Sequence, residues 1–272
     1  MTSTVTNRLE GAVMAIKAVV FDIGGVLKHV QDDAWPEVWI GRWERRVHLP
    51  VGHVVATLAE HEPTDDMVTG KMSEAQMRER YARVLGLDDD QAQQMMAEMW
   101  DAYCGELDRQ VRDFAAGLRP AYATAILSNS ADGARREEQR RFGFEELVDV
   151  IVYSHEVGLA KPDPAIFDLT GNLLGVEPHE IVFLDDHYGH VEAARACGRH
   201  AVCIVTRRDR FGRSARSSEM PRAIRLRTPR LGSDASGHRS AIGMPGQPRG
   251  ATGHAGDGRT LSGAEDSPST GS

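Results

Sequence analysis

The chain has 272 residues and a formal net charge of −8, which is enough length for one or two domains with a sizeable core. General binders of nucleic acid or of anionic membranes are usually basic, so this acidic balance argues against both partners. No apolar run approaches the roughly 18–20 residues that span a bilayer, and three cysteines spaced far apart, Cys104, Cys197 and Cys203, indicate reduced thiols in a cytoplasmic protein.

The first 16 residues are polar and weakly patterned, so they predict a flexible extension without the basic start and apolar core of a signal peptide. Met14 precedes the first predicted strand, and we expect translation to start at Met1 or Met14. Short β-branched runs then predict buried parallel strands at Ala18–Ile23, Thr124–Ser128, Val150–Tyr153, Ile181–Leu184 and Ala201–Val205.

Helical patterns separate the later strands, at Gln110–Leu118, Ala134–Phe142, Ala165–Leu174 and His190–Cys197. This alternation predicts an α/β fold with a doubly wound parallel sheet, built from residues 17–29 and 108–206. Residues 207–272 are rich in Gly, Ser, Arg and Pro with few apolar side chains, a composition that predicts a disordered tail.

Residues 30–107 predict an inserted set of helices with no strand. Ser73 and Asp88 each precede a glutamine by three residues, which is typical of a capping box at a helix start. Three tryptophans recur every fourth residue and so share one helix face: Trp35, Trp39 and Trp43. This face either forms the core of the insert or contributes one or two side chains to a substrate pocket.

Four polar motifs fall at the carboxyl ends of predicted strands or in the loops after them, the edge where open parallel sheets bind ligands. Asp22 stands on a glycine turn and can act as a nucleophile. Ser128 and Asn129 close a strand, where a hydroxyl and backbone N–H groups can hold phosphate oxygens. Lys161 supplies a point charge. The pair Asp185-Asp186 offers the hard oxygen ligands that Mg²⁺ prefers.

The order of these motifs resembles that of the haloacid dehalogenase superfamily, in the subgroup with a helical cap after the first strand. The motifs are Phe21-Asp-Ile-Gly-Gly-Val-Leu27, Ser128-Asn129-Ser130, Lys161-Pro162 and Asp185-Asp186. The resemblance covers about residues 17–205. It implies that Asp22 is a nucleophile forming an aspartyl-phosphate and that Ser128, Asn129 and Lys161 bind the phosphoryl group. It also implies that residues 30–107 form the cap, and that Mg²⁺ is held by Asp22, the Gly24 carbonyl, Asp185 and Asp186.

The sequence departs from the phosphatases of this superfamily at Gly24, where they carry a second aspartate that acts as general acid and base. A general acid typically contributes about 10²–10⁴-fold, so we expect the loss to be greatest for poor leaving groups. Histidine can do this work near neutral pH, and three candidates lie near the motifs: His29, His187 and His190.

The sequence therefore predicts a Mg²⁺-dependent phosphatase of a small phosphorylated metabolite with a restricted range of leaving groups. One alternative is a weak or inactive relative retained for ligand binding or regulation, which Gly24 motivates. The other is a metal-independent haloacid dehalogenase-type hydrolase acting through Asp22.

Overall fold

The structure, a computed structural model, describes residues 15–30, 34–59 and 65–204. Almost all of the predicted N-terminal extension, both candidate start residues (Met1 and Met14) and the predicted tail at 207–272 lie outside the described residues. The boundaries proposed between extension, core, cap and tail stay a prediction.

Strands and helices alternate along the core, as the sequence predicts. The strands are β1 (Ala18–Phe21), β2 (Lys28–His29), β3 (Glu106–Leu107), β4 (Ala123–Ser128), β5 (Val150–Tyr153), β6 (Ile181–Asp185) and β7 (His200–Cys203). The helices are α1 (Trp35–Arg46), α2 (His53–Ala59), α3 (Asp65–Val68), α4 (Glu74–Leu85), α5 (Asp89–Cys104), α6 (Arg109–Leu118), α7 (Ala134–Phe142), α8 (Phe144–Leu147), α9 (Ser154–Val157), α10 (Pro164–Leu174) and α11 (Tyr188–Ala196). Within the described ranges, none of these helices has the length and hydropathy needed to cross a membrane.

Five strands form one sheet in the order β5-β4-β1-β6-β7, and every adjacent pair is parallel. Alternate residues of β1 face opposite sides, as the strand period requires. Val19 and Phe21 join the apolar cluster that includes residues of α6 and α8, whereas Ala18 and Val20 join the cluster that includes residues of α10 and α11. Helices therefore cover both faces of the sheet, which confirms the predicted doubly wound α/β fold.

The chain between β2 and β3 is a helical insert, comprising α1 to α5. Both predicted capping boxes are present: the Ser73 side chain accepts from the Gln76 N–H, and the Asp88 side chain accepts from the Gln91 N–H. Of the three tryptophans on α1, Trp39 and Trp43 are buried in the insert, whereas Trp35 is only partly buried.

The prediction that residues 30–107 contain no strand was wrong at their end. Glu106–Leu107 forms β3 and pairs antiparallel with Lys28–His29 of β2. A two-residue strand is too short to show the alternating pattern by which strands are found in a sequence. The resulting ribbon joins the point where the chain leaves the core to the point where it returns.

Candidate active site

Asp22 follows β1, the central strand, and lies between the carboxyl ends of β4 and β6. Its backbone N–H donates to the Leu184 carbonyl at 2.8 Å. The turn after it is closed by the N–H groups of Leu27 and Lys28, which both donate to the Ile23 carbonyl at 2.9 Å. These bonds fix the backbone of Asp22 at the sheet edge, and the Asp22 side chain is largely buried.

Lys161 lies between two carboxylates. Its Nζ atom is 2.9 Å from Asp22 Oδ1 and 2.7 Å from Asp185 Oδ2. Burial by itself lowers the pKa of Lys161, but the charges of Asp22 and Asp185 outweigh this effect and raise the pKa. Lys161 is therefore a permanent cation at the centre of the site.

The two carboxylates that share Lys161 are not equivalent. Burial raises the pKa of Asp22, and the charge of Lys161 offsets this only in part. Burial also acts to raise the pKa of Asp185, but hydrogen bonding from His190 and the charge of Lys161 lower it to about 2. Asp185 also accepts the backbone N–H of His187 at 2.7 Å. The extra donors around Asp185 explain the difference.

Asp186 points into the same cluster from a more exposed position. Partial burial, together with the charges of Asp22 and Asp185, raises the pKa of Asp186 to about 7. Within the described part of the chain, carboxylate oxygens of these three residues all lie within 4.8 Å of one another. Three converging carboxylates repel one another, and a hard divalent cation such as Mg²⁺ relieves that repulsion.

The predicted phosphate loop begins where β4 ends. Ser128 is the last residue of β4, and it is buried. The Asn129 side chain is engaged with the backbone of Lys161: its Nδ2 donates to the Lys161 carbonyl and its Oδ1 accepts the Lys161 N–H, both at 2.8 Å. The amide of Asn129 thus fixes the loop that carries Lys161, a contact that spacing along the chain does not reveal.

Ser130 joins this loop to the one after β5. Its N–H donates to Ser154 Oγ at 2.9 Å, and its hydroxyl lies 2.9 Å from His155 Nδ1. Ser154 and His155 were not predicted as site residues, since neither belongs to a recognisable motif. These contacts hold the loops after β4 and β5 in one arrangement beside Asp22.

The three histidines considered as substitutes for a general acid have other contacts. His29 Nε2 lies 3.0 Å from Asp108 Oδ2, at the base of the insert. His190 Nδ1 lies 3.2 Å from both oxygens of Asp185. The ring of His187 packs against that of His190, with centroids 4.3 Å apart. His190 and His187 therefore belong to the surroundings of Asp185.

Gly24 and Gly25 differ in their surroundings. A Cβ atom built on Gly24 meets no atom within 4 Å, whereas one built on Gly25 would lie 1.8 Å from Asp186 Oδ2. Gly25 also has a φ of +68°, a backbone conformation that glycine adopts without steric cost. Position 25 therefore requires glycine, and position 24 has room for a side chain.

Comparison with known proteins supplies the family context. The sequence model of the haloacid dehalogenase-like hydrolases matches residues 16–198. A curated relative, D-ribitol-5-phosphate phosphatase of Bacteroides thetaiotaomicron, is 27% identical over 191 residues, which cover 67% of this chain and 89% of the relative.

Solved structures agree on the fold. The wild-type HAD family enzyme bt-2542 of Bacteroides thetaiotaomicron, crystallised with magnesium and inorganic phosphate, is similar with a TM-score of 0.57 at 21% identity, covering 70% of this chain and 94% of that one. A 2-haloacid dehalogenase of Pseudomonas syringae is similar with a TM-score of 0.53 at 21% identity, covering 76% and 92%. Likeness at these identities establishes the fold alone, and the fold is common to both kinds of enzyme.

Proposed function

The chain belongs to the haloacid dehalogenase-like family of hydrolases, and on that premise we propose that it hydrolyses small phosphorylated metabolites with the help of Mg²⁺. The observation that carries the proposal is the convergence of Asp22, Asp185 and Asp186 around one point beside the Lys161 ammonium. A carboxylate nucleophile, an oxygen-rich cation site and a fixed positive charge are the groups that phosphoryl transfer uses.

The donor set fits Mg²⁺, which prefers hard oxygen ligands. Asp22, Asp185 and Asp186 would hold the ion, together with the Gly24 carbonyl. When bound, Mg²⁺ would neutralise charge on the phosphoryl oxygens and on the converging carboxylates. A metal-independent dehalogenase has no use for this set of acids, so the cluster favours a phosphatase over dehalogenation.

In the proposed reaction, a carboxylate oxygen of Asp22 attacks phosphorus and the bond from phosphorus to the leaving oxygen breaks. Lys161 keeps Asp22 oriented and offsets the charge of the anionic substrate. Ser128 and the backbone after it bind phosphoryl oxygens, while Asn129 keeps the Lys161 loop in position. Water then attacks phosphorus, and inorganic phosphate leaves with Asp22 regenerated.

Gly24 restricts the substrates that this site can use. The leaving oxygen of an alkyl phosphate must gain a proton, and position 24 offers no acid to supply it. The leaving groups of acyl phosphates and of acidic phenyl phosphates depart as stable anions, so they need little protonation. We therefore propose that activated phosphates are turned over fastest and that the helical insert selects among them as a cap.

The proposal is tested by steady-state hydrolysis of acetyl phosphate and p-nitrophenyl phosphate, with Mg²⁺, with EDTA and with the variant Asp22→Asn. This substitution keeps the size of the side chain and removes the nucleophilic charge. We expect turnover that requires both Mg²⁺ and Asp22. Folded protein that hydrolyses neither compound would contradict a phosphatase of activated esters and would favour a ligand-binding role.

The dehalogenase alternative is separated in the same preparation. Halide release from 2-chloropropionate is measured with EDTA present, because dehalogenation by a carboxylate needs no metal. Release that depends on Asp22 and survives EDTA would replace the phosphatase proposal.

A further inference from the structure

A second charged cluster lies where the chain leaves the core for the helical insert and returns from it. Lys28 belongs to the outgoing strand β2, and Glu138 belongs to the core helix α7. Lys28 is 3% exposed and Glu138 is 0% exposed, and Lys28 Nζ lies 2.9 Å from Glu138 Oε1. Burying two charges costs free energy that their attraction offsets only in part. Stabilisation of the fold is therefore a weak explanation for this buried pair.

Further contacts fix both members of the pair. Lys28 Nζ donates to the carbonyl oxygen of Tyr103 at 2.7 Å and lies 3.4 Å from the centroid of the Tyr103 ring. The Tyr153 hydroxyl donates to Glu138 Oε2 at 2.7 Å. Glu138 Oε1 accepts no hydrogen bond from the part of the chain that the structure describes. The Lys28 ammonium is therefore what compensates the burial of that oxygen.

Lys28 is also part of the turn that carries the proposed nucleophile. The Gly25 N–H donates to the Lys28 carbonyl at 2.9 Å, and the Lys28 N–H donates to the Ile23 carbonyl at 2.9 Å. One residue thus closes the turn after Asp22 with its backbone and contacts Tyr103, at the end of the insert, with its side chain.

A series of contacts also connects this cluster to the predicted phosphate loop. Helix α7, which carries Glu138, follows that loop in the chain. Tyr153 ends β5, and its ring lies 5.7 Å from that of His155, the residue whose Nδ1 contacts the Ser130 hydroxyl. The Lys28–Glu138 pair therefore lies between the nucleophile turn and the loops after β4 and β5.

We propose that Lys28, held by Glu138, is a positioning residue that fixes the Asp22 turn against the returning end of the insert and against helix α7. The inference rests on the proposed function for its kinetic consequence: Asp22 attacks productively only while this turn keeps its place. Small displacements of a reacting group have large effects on rate and little effect on ground-state binding.

The experiment compares three variants of the full chain. Lys28→Met removes the ammonium and keeps an unbranched side chain. The double variant Lys28→Met/Glu138→Gln removes both charges, so that no unpaired ion stays buried if the single variant fails to fold. The matched control is Lys17→Met, because Lys17 precedes the other end of β1 and pairs with Glu180 at 2.6 Å while 59% exposed.

Two readouts are used: hydrogen exchange by mass spectrometry over residues 22–30 and 101–108, and kcat and KM for p-nitrophenyl phosphate well below the melting temperature. In Lys28→Met and in the double variant, we expect faster hydrogen exchange in these two segments relative to the rest of the sheet. In the same two variants we expect kcat to fall by about 10- to 100-fold while KM changes by less than about threefold. Lys17→Met should change neither quantity.

If Lys28 had a purely structural role, its variants would have a lower melting temperature and an unchanged kcat. Wild-type kcat in a folded variant, or unchanged exchange in both segments, therefore overturns the proposal. If the wild-type protein hydrolyses neither test ester, the proposed function fails, and the exchange data alone then decide whether Lys28 fixes the turn.

Discussion

Asp186 lies against the backbone of Gly25 so closely that a Cβ atom at position 25 would approach Asp186 Oδ2 to 1.8 Å. The adjacent Gly24 has no atom within 4 Å of an equivalent Cβ atom. The two glycines of one turn therefore have different roles. Gly25 allows a carboxylate of the proposed cation site to pack against the nucleophile turn, whereas Gly24 leaves room for a side chain at the position where the resemblance leads us to expect a second aspartate.

We expect Gly25→Ala to impair Mg²⁺ binding, because the new methyl group must displace Asp186. The positive φ at this position adds a backbone cost of about 1–3 kcal/mol. Gly24→Ala is the matched control and should bind Mg²⁺ as the wild type does. Isothermal titration calorimetry gives the affinities and thermal unfolding gives the stabilities. Wild-type Mg²⁺ affinity in Gly25→Ala would contradict this prediction.

Gly24→Asp should increase turnover, since the open space around position 24 can accept the side chain. A general acid contributes about 10²–10⁴-fold in enzymes that evolved with it, so we expect a gain of at least about tenfold on an alkyl phosphate such as glycerol phosphate. The gain on acetyl phosphate should be much smaller. Gly24→Asn controls for size and polarity without an acidic proton. Equal gains on both substrates, or none, would contradict the missing-acid explanation.

Much of the fold could be predicted from the sequence, because the strands that carry the site are buried on both faces. Such strands appear as short apolar runs, and β1 is the apolar run before Asp22. The order of the strand-end motifs then allowed Asp22, Lys161 and Asp185 to be expected in one place, and the structure brings these three side chains together.

The rest depends on contacts between residues distant in the chain. Glu138 lies in a helix of mostly charged residues, so nothing in its local pattern distinguishes it from the other charged side chains of that helix. Its burial follows from the position of α7 beside Lys28 and Tyr153. Likewise, the use of the Asn129 amide on the backbone of Lys161 requires two loops 32 residues apart to meet.

Lys161→Met should destabilise the protein, because Asp22 and Asp185 would lose the cation between them. Removing one partner of a buried ion pair typically costs about 3–5 kcal/mol. Lys17→Met removes a cation whose side chain is 59% exposed, and it should cost much less. Urea unfolding near neutral pH gives both free energies. Equal costs for the two variants would mean that Lys161 does not stabilise the carboxylates.

The same variant should alter the response to acid. In the wild type, the pKa of Asp185 is lowered from 3.8 to about 2, so its contribution to stability is present above pH 3.8 and is lost as pH falls toward 2. In Lys161→Met the pKa of Asp185 is higher than in the wild type, so protonation of Asp185 by acid removes less stability from the variant. The difference in unfolding free energy between wild type and variant should therefore shrink as the solution is acidified below about pH 4. A constant difference would contradict this linkage.

Mg²⁺ affinity should depend on pH through Asp186, whose pKa in the metal-free protein is raised from 3.8 to about 7. An acid with a raised pKa in the folded state opposes folding as pH rises from 3.8 toward 7. The bound cation removes that penalty, because it requires the carboxylate form. Below about pH 7, Mg²⁺ binding should release up to one proton, and the Mg²⁺ affinity should fall by up to about tenfold for each pH unit.

Calorimetry in two buffers of different ionisation enthalpy measures the released protons near pH 6 and should find almost none above about pH 8. Asp186→Asn is the control, and it should bind more weakly without this proton release. Proton release of equal size in Asp186→Asn would assign the titration to Asp22, the other carboxylate of the cluster whose pKa is raised.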